Sequence, residues 1–168
     1  RPFGAGEAAA LVSIEEGIGK MKAALAARRD KDLVIAGRTS APQITGIDDA
    51  IARAAAYEAA GVDAIFLVGV KTRADLDKVA AKITVPLILG SAGGELMDRD
   101  YLASRGVRIC LQGHRPIAAA VAAVYETLKG LREGVPASEL PKAASAELMK
   151  QVTREGDYAR WSADFLGG

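Results

Sequence analysis

Leu33-Val34-Ile35-Ala36-Gly37-Arg38-Thr39-Ser40 passes from an apolar run into an arginine and two hydroxyls, and three later stretches repeat its form. Ala64-Ile65-Phe66-Leu67-Val68 stops at Gly69, and Val85-Pro86-Leu87-Ile88-Leu89 stops at Gly90-Ser91. Val107-Arg108-Ile109-Cys110-Leu111 stops at Gln112-Gly113-His114. Each run is short and is followed by helical periodicity, which reads as strand, then helix. Strand starts near residues 33, 63, 85 and 107 lie about 30, 22 and 22 positions apart. That alternation predicts βαβ crossovers in a parallel sheet. Ligands of parallel α/β folds collect outside the carboxyl ends of the strands. Arg38 and His114, the chain's one histidine, are therefore the first candidates for binding and catalysis.

Between the strands the helices announce themselves by their ends. Ser13-Ile14-Glu15-Glu16 is a capping box that opens a helix closing in Arg28-Arg29. Gly46 to Ala60 reads as a second helix ended by Gly61, and Thr72 to Lys82 as a third with Thr72 as N-cap. A shorter helix runs from about Asp98 to Ser104, and an alanine-rich one from Pro116 to about Glu133. After the break at Gly134-Val135-Pro136-Ala137-Ser138, helices are expected over Ala143 to Thr153 and Asp157 to Phe165. The aromatic tail of Tyr158, Trp161 and Phe165 needs a surface, either its own domain or a neighbouring subunit. Cys110 reads as core, and Lys71, Arg73 and Arg105 as solvated charges. Gly90-Ser91-Ala92-Gly93-Gly94 lacks the lysine and spacing of a P-loop, and no strand precedes Phe3-Gly4-Ala5-Gly6, so neither reads as a nucleotide cradle.

Composition narrows the function classes. A chain of 168 residues suits one domain with a real core. Twenty-two basic against 21 acidic side chains leave a net charge of +1, no footprint for nucleic acid or an anionic membrane. A single cysteine fits a reducing compartment, and no apolar run approaches the roughly 20 residues that span a bilayer. Nothing reads as a signal peptide, so a cytoplasmic protein is expected. A closed (β/α)₈ barrel needs eight strands and ~250 residues, so four strands leave a small open α/β sheet or half of a barrel.

Val34-Ile35-Ala36-Gly37-Arg38-Thr39-Ser40-Ala41 resembles the fifth-strand motif of the isocitrate lyase and phosphoenolpyruvate mutase superfamily, in which an arginine ends the strand and points at substrate. Gly46 through Phe66 looks like that superfamily's fifth helix and sixth strand, and the resemblance runs nearly the whole chain. Within it, Leu67-Val68-Gly69-Val70, Gly113-His114 and Asp157-Tyr158-Ala159-Arg160-Trp161 are most similar to the oxaloacetate decarboxylases. Lyases and mutases of the superfamily usually carry a glutamate or histidine where Val68 stands. Two positions depart from the pattern: Gly37 replaces a common alanine, and Ser40 stands where many members carry an acid.

The resemblance implies a (β/α)₈ TIM-type barrel of which this chain supplies about strands five to eight plus C-terminal helices. Residues 1–133 would be the second half of the barrel and residues 134–168 a helical extension. Residues 1–12, with Pro2, Gly4 and Gly6, would be the remnant of a gating loop. It also implies Mg²⁺-dependent decarboxylation of oxaloacetate to pyruvate and CO₂ through a metal-stabilised enolate, with Mn²⁺ as an alternative ion. Arg38 would pair with a substrate carboxylate or the enolate oxygen, and His114 would hydrogen-bond substrate or supply the quenching proton. No metal ligands are expected in this chain; they belong to the first barrel half. Either the sequence is a fragment of a longer chain, or another polypeptide supplies that half, as in a nicked product or a two-chain barrel. A half barrel by itself exposes two apolar sheet edges and should pair or aggregate; the resemblance further implies dimers or tetramers, which family members usually form by exchanging the last barrel helix. The competing readings are a 2-methylisocitrate-type lyase or phosphonomutase of the same superfamily, and a non-catalytic open α/β binding module.

Overall fold

The computed structural model describes residues 10–91, 93–113, 115–140 and 143–167. These form two compact units divided between residues 113 and 114. The first unit opens with α1 (Ile14–Ala27), where Ser13 Oγ accepts the Glu16 N–H. That is the hydroxyl half of the expected capping box; the Glu16 carboxylate turns instead to Lys20, 2.6 Å away. There follow β1 (Ala36–Thr39), α2 (Ala41–Ile44), α3 (Ile47–Ala59), β2 (Ala64–Leu67) and α4 (Arg73–Ala80). The unit ends with β3 (Leu87–Leu89), a 3₁₀ turn over Gly94–Met97, α5 (Arg99–Ser104) and β4 (Val107–Cys110). The strands are all parallel, as the strand spacing predicts, and lie in chain order, β1-β2-β3-β4. Thr72 and Asp98 cap α4 and α5 by accepting the N–H groups of Asp75 and Tyr101.

Strand alternation decides which side chains are hidden. Thr39, Ile65, Leu67, Leu87, Leu89 and Val107 are buried on one face, against Tyr57 of α3, Leu76 and Val79 of α4, and Leu102 of α5. The register aligns Arg38, Phe66, Ile88 and Ile109 as one row across the opposite face. None of the four is buried, and Ile109 is 50% exposed. A register shift between Leu87 and Ile88 sets Arg108 aside and restores Ile109 to the row. Parallel sheets ordinarily have both faces covered. Among the described residues of the first unit, helices α3, α4 and α5 cover one face of this one.

The first strand begins three residues later than its apolar run. Pairing with β2 starts at Ala36, and Leu33 and Val34 stay 54% and 62% exposed. Asp63 explains the boundary: its carboxylate accepts the Ile35 N–H at 2.8 Å, while its own N–H donates to the Ile35 carbonyl. Arg38 is consequently a strand residue, with its side chain placed by the pleat. Arg28 does not close α1 as a last-turn cation; it caps the helix and reaches Asp63 at 2.7 Å. The short α2, with Pro42 in its first turn, was not anticipated. Cys110 ends β4 and is half-buried, and burial pushes its thiol pKa up.

Asp49, Asp63, Asp77 and Asp98 all sit below the usual carboxylate range. The first-named causes are hydrogen bonds from the Thr45 hydroxyl, the Ile35 N–H, the Tyr101 hydroxyl and the Tyr101 N–H respectively. A lowered native pKa stabilises the fold above the unfolded value. That contribution disappears as pH falls through the native one. Thermal stability should therefore hold near neutrality and fall once the pH drops below about 4. Asp63→Asn should flatten that acid limb in a pH series of melting curves; an unchanged limb would exclude Asp63 as a contributor.

Tyr57 fastens α1 to the sheet. Its ring lies between Gly17 of α1 and Gly37 of β1, where an added Cβ would come within 2.3 Å and 3.0 Å of it. At Gly37 an added Cβ would make Tyr57 give way by a few tenths of an ångström, so glycine there eases the approach of α3 to β1. Gly17→Ala gains up to ~1 kcal/mol of helix propensity. Overpacking against the buried ring costs roughly 1–3 kcal/mol, so net destabilisation is expected. Urea titration checks this, and a midpoint at or above that of the parent protein would contradict it.

The second unit contains α6 (Arg115–Arg132), a 3₁₀ turn over Ala137–Glu139, α7 (Ala146–Val152) and α8 (Glu155–Leu166). α7 starts later than Ala143 because Ser145 supplies its cap, accepting the Leu148 N–H. Tyr158 and Trp161 meet edge to face with centroids 5.5 Å apart, while Phe165 remains exposed. Val121, Val124, Tyr125 and Leu128 form an exposed apolar stripe on α6. Among the described residues no helix is long and apolar enough to cross a membrane.

Candidate functional site

Arg38 stands one residue before the carboxyl end of β1, on the uncovered face. Three neighbours fix it. Gly37 behind it lets the strand lie against Tyr57, and Thr39 beyond it is buried, its Oγ1 accepting the Ala41 N–H at 3.1 Å. Across the register the guanidinium carbon lies 5.5 Å from the centroid of the Phe66 ring, which holds the planar fork by its face. Among the described residues no carboxylate comes within ion-pair distance of Arg38. A permanent cation with its donors directed from a strand end suits a small carboxylate ligand.

Beside it is a cavity of about 320 Å³ lined by Ala10, Leu11, Val12, Arg38, Thr39, Ser40, Ile44, Arg53 and Tyr57. It brings together the strand end, α2, α3 and the chain that enters α1. Arg53 is buried and paired with Asp49, the Nε–Oδ2 distance being 2.8 Å. The Thr45 hydroxyl and then Arg53 hold the Asp49 carboxyl low, and the Asp49 bond holds Arg53 correspondingly high. Arg53 is a charge already matched; Arg38 is not matched by a described residue.

At the other strand ends the uncovered face presents Val68, Gly90 and Leu111, none of them an acid. Gly90 leaves room for Val68, whose Cγ2 an added Cβ would meet at 2.9 Å. Hard divalent cations need clustered oxygen ligands. The described residues contain no group of three acidic, histidine or cysteine side chains that could hold one. They do not by themselves fit a Mg²⁺ site. His114, Pro2, Gly4 and Gly6, the remaining site expectations, lie outside the described residues. Ser40 lies beside Arg38 in the cavity and makes no side-chain cap bond to α2.

Arg73 and Arg105, expected as solvated charges, keep 42% and 41% of their side chains exposed and are also engaged with Tyr101. Their guanidinium carbons lie 4.2 Å and 5.3 Å from its ring centroid. The Tyr101 hydroxyl donates to Asp77, and Arg73 reaches the Glu95 carbonyl at 3.0 Å and Asp98 at 3.0 Å. The cluster fixes the 3₁₀ turn that follows the carboxyl end of β3. The spacing between α4 and α5 gives no warning of it, because the contacts depend on how the two helices pack.

Comparison with known proteins bears on the same stretch of chain. The phosphoenolpyruvate phosphomutase family matches residues 4–132. An oxaloacetate decarboxylase of Bradyrhizobium diazoefficiens is 57% identical over 157 residues, covering 94% of this chain and 54% of that protein. One of Rhodopseudomonas palustris is also 57% identical over 157 residues, with the same 94% and 54% coverage. The chain thus spans about half the length of the curated relatives it matches. Among solved structures, a phosphonopyruvate hydrolase complexed with oxalate and Mg²⁺ is similar with a TM-score of 0.71 at 33% identity, over 93% of this chain and 57% of that one. The motif around Arg38, the parallel sheet that carries it and the family match agree: the chain belongs to the phosphoenolpyruvate phosphomutase family.

Proposed function

We propose that this chain supplies strands five to eight of a (β/α)₈ barrel and, with a polypeptide segment carrying the other four, decarboxylates oxaloacetate to pyruvate and CO₂. Residues 1–133 form the barrel half, with residues 1–12 as the end of a gating loop, and residues 134–168 a helical extension. The observation that carries the reading is Arg38 on the uncovered face, at a strand's carboxyl end, in a row with Phe66, Ile88 and Ile109. That row becomes barrel interior once a second half covers it.

Decarboxylation breaks the C3–C4 bond; its electron pair moves toward C2 and leaves negative charge on the C2 oxygen. Arg38 holds a carboxylate of the substrate or that developing oxyanion, an interaction that strengthens as charge accumulates and so lowers the barrier. His114 donates a hydrogen bond to the substrate or returns a proton to C3, giving pyruvate. Mg²⁺, with Mn²⁺ as alternative, belongs to the completing segment, since the described residues offer no ligand set. The assembly is a cytoplasmic homodimer or homotetramer of complete barrels.

Val68 favours this reaction over its relatives, because it places no acid or base at the end of β2. The test is a substrate panel of oxaloacetate, 2-methylisocitrate and phosphoenolpyruvate given to the completed barrel and followed by ¹H and ³¹P NMR. Pyruvate from oxaloacetate alone is expected. Succinate or a phosphonate as the faster product would overturn the assignment.

A further inference from the structure

We propose that Arg53 is a positioning residue whose guanidinium sets residues 10–12 as a wall of the cavity that holds Arg38. The inference deepens the reading above and rests on Arg38 receiving the substrate's carboxylate. Arg53 lies on α3 and is only 8% exposed. Its Nε donates to Asp49 at 2.8 Å, and its Nη1 donates to the Val12 carbonyl at 2.7 Å, 41 positions away in the chain. Asp49 is steadied in turn by the Thr45 hydroxyl. One edge of the fork is thereby fixed, and the other is aimed at a single carbonyl.

That carbonyl lies outside the hydrogen bonds of α1 itself. The Ser13 carbonyl opens the hydrogen bonds of α1 by accepting from Gly17, 3.0 Å away, so Val12 is the first residue outside the helix. Tyr57, one turn after Arg53 on the same face of α3, receives Gly17 on one side and Gly37 on the other. The entrance to α1 is therefore held at two points on α3, and the second of them touches the residue next to Arg38. A lysine at position 53 keeps the charge opposite Asp49 but lacks the fixed pair of donors, so it cannot serve both acceptors as arginine does.

Arg53→Lys and Arg53→Met test this by amide hydrogen exchange, read separately over residues 10–17 and over β2. KM and kcat for oxaloacetate in the completed barrel are measured alongside. In Arg53→Lys, exchange over residues 10–17 should rise about tenfold, the scale of losing a hydrogen bond to a charged donor, with β2 unchanged. KM should rise by a similar factor while kcat stays within about twofold, the pattern of lost uniform binding. Arg53→Met should exceed the lysine variant over residues 10–17. Unchanged exchange there, an equal rise in β2, or an unchanged KM would overturn the proposal. If the parent enzyme does not turn over oxaloacetate, the decarboxylase reading falls, and the exchange pattern alone decides the anchor.

Discussion

Arg38→Ala is expected to lower kcat/KM for oxaloacetate by roughly 10²–10³-fold, the scale of removing a donor aimed at a developing oxyanion. The side chain is exposed and its described contact is the face of Phe66. That contact is worth about 0.5–1 kcal/mol at an exposed site, so folding should survive the change. Activity loss with an unaltered melting curve separates a chemical role from a structural one. Arg38→Lys should remain at least ~10-fold below the parent enzyme, because a point charge lacks the planar fork that meets a carboxylate through two bonds. Wild-type turnover in the alanine variant, read by pyruvate formation, would remove Arg38 from the mechanism.

The second large effect concerns the open face. Ile88 sits on β3, between Phe66 of β2 and Ile109 of β4 in the uncovered row. In the chain by itself Ile88→Asp leaves a carboxylate that water can still reach. Covering that row with a second barrel half takes the carboxylate out of water with no described cation beside Ile88. Burying an unpaired charge costs several kcal/mol, so affinity for the completing segment should fall at least ~10³-fold. Titration of the two halves against each other, with the circular dichroism of the chain alone as control, measures it. Equal affinity in the variant would mean that the row is not the contact surface.

The fold was largely readable because its signals are local. Four apolar runs, each with polar or glycine punctuation, announced a parallel sheet, and Ser13, Thr72 and Asp98 marked helix starts that their side chains do cap. What depends on pairing was not readable. The beginning of β1 is set by Asp63, 28 positions from the Ile35 N–H it accepts, and not by the apolar residues Leu33 and Val34. The row containing Arg38 needs the register shift in β4, which no residue type advertises. Arg53 and Tyr57 carry no local signal, since their partners are Val12 before α1, Gly17 in α1 and Gly37 in β1. The place of Arg38 itself was legible for a general reason: strand ends carry chemistry in parallel α/β folds.

The most direct measurement is ¹H NMR of oxaloacetate with this chain alone, with a polypeptide carrying the other four strands alone, and with both together, each in Mg²⁺ and then in EDTA. Pyruvate formation well above the spontaneous rate is expected only in the mixture, and is lost in EDTA. Acceleration by this chain alone, or a mixture that forms a stable complex yet leaves oxaloacetate at its spontaneous rate, would contradict the proposed function.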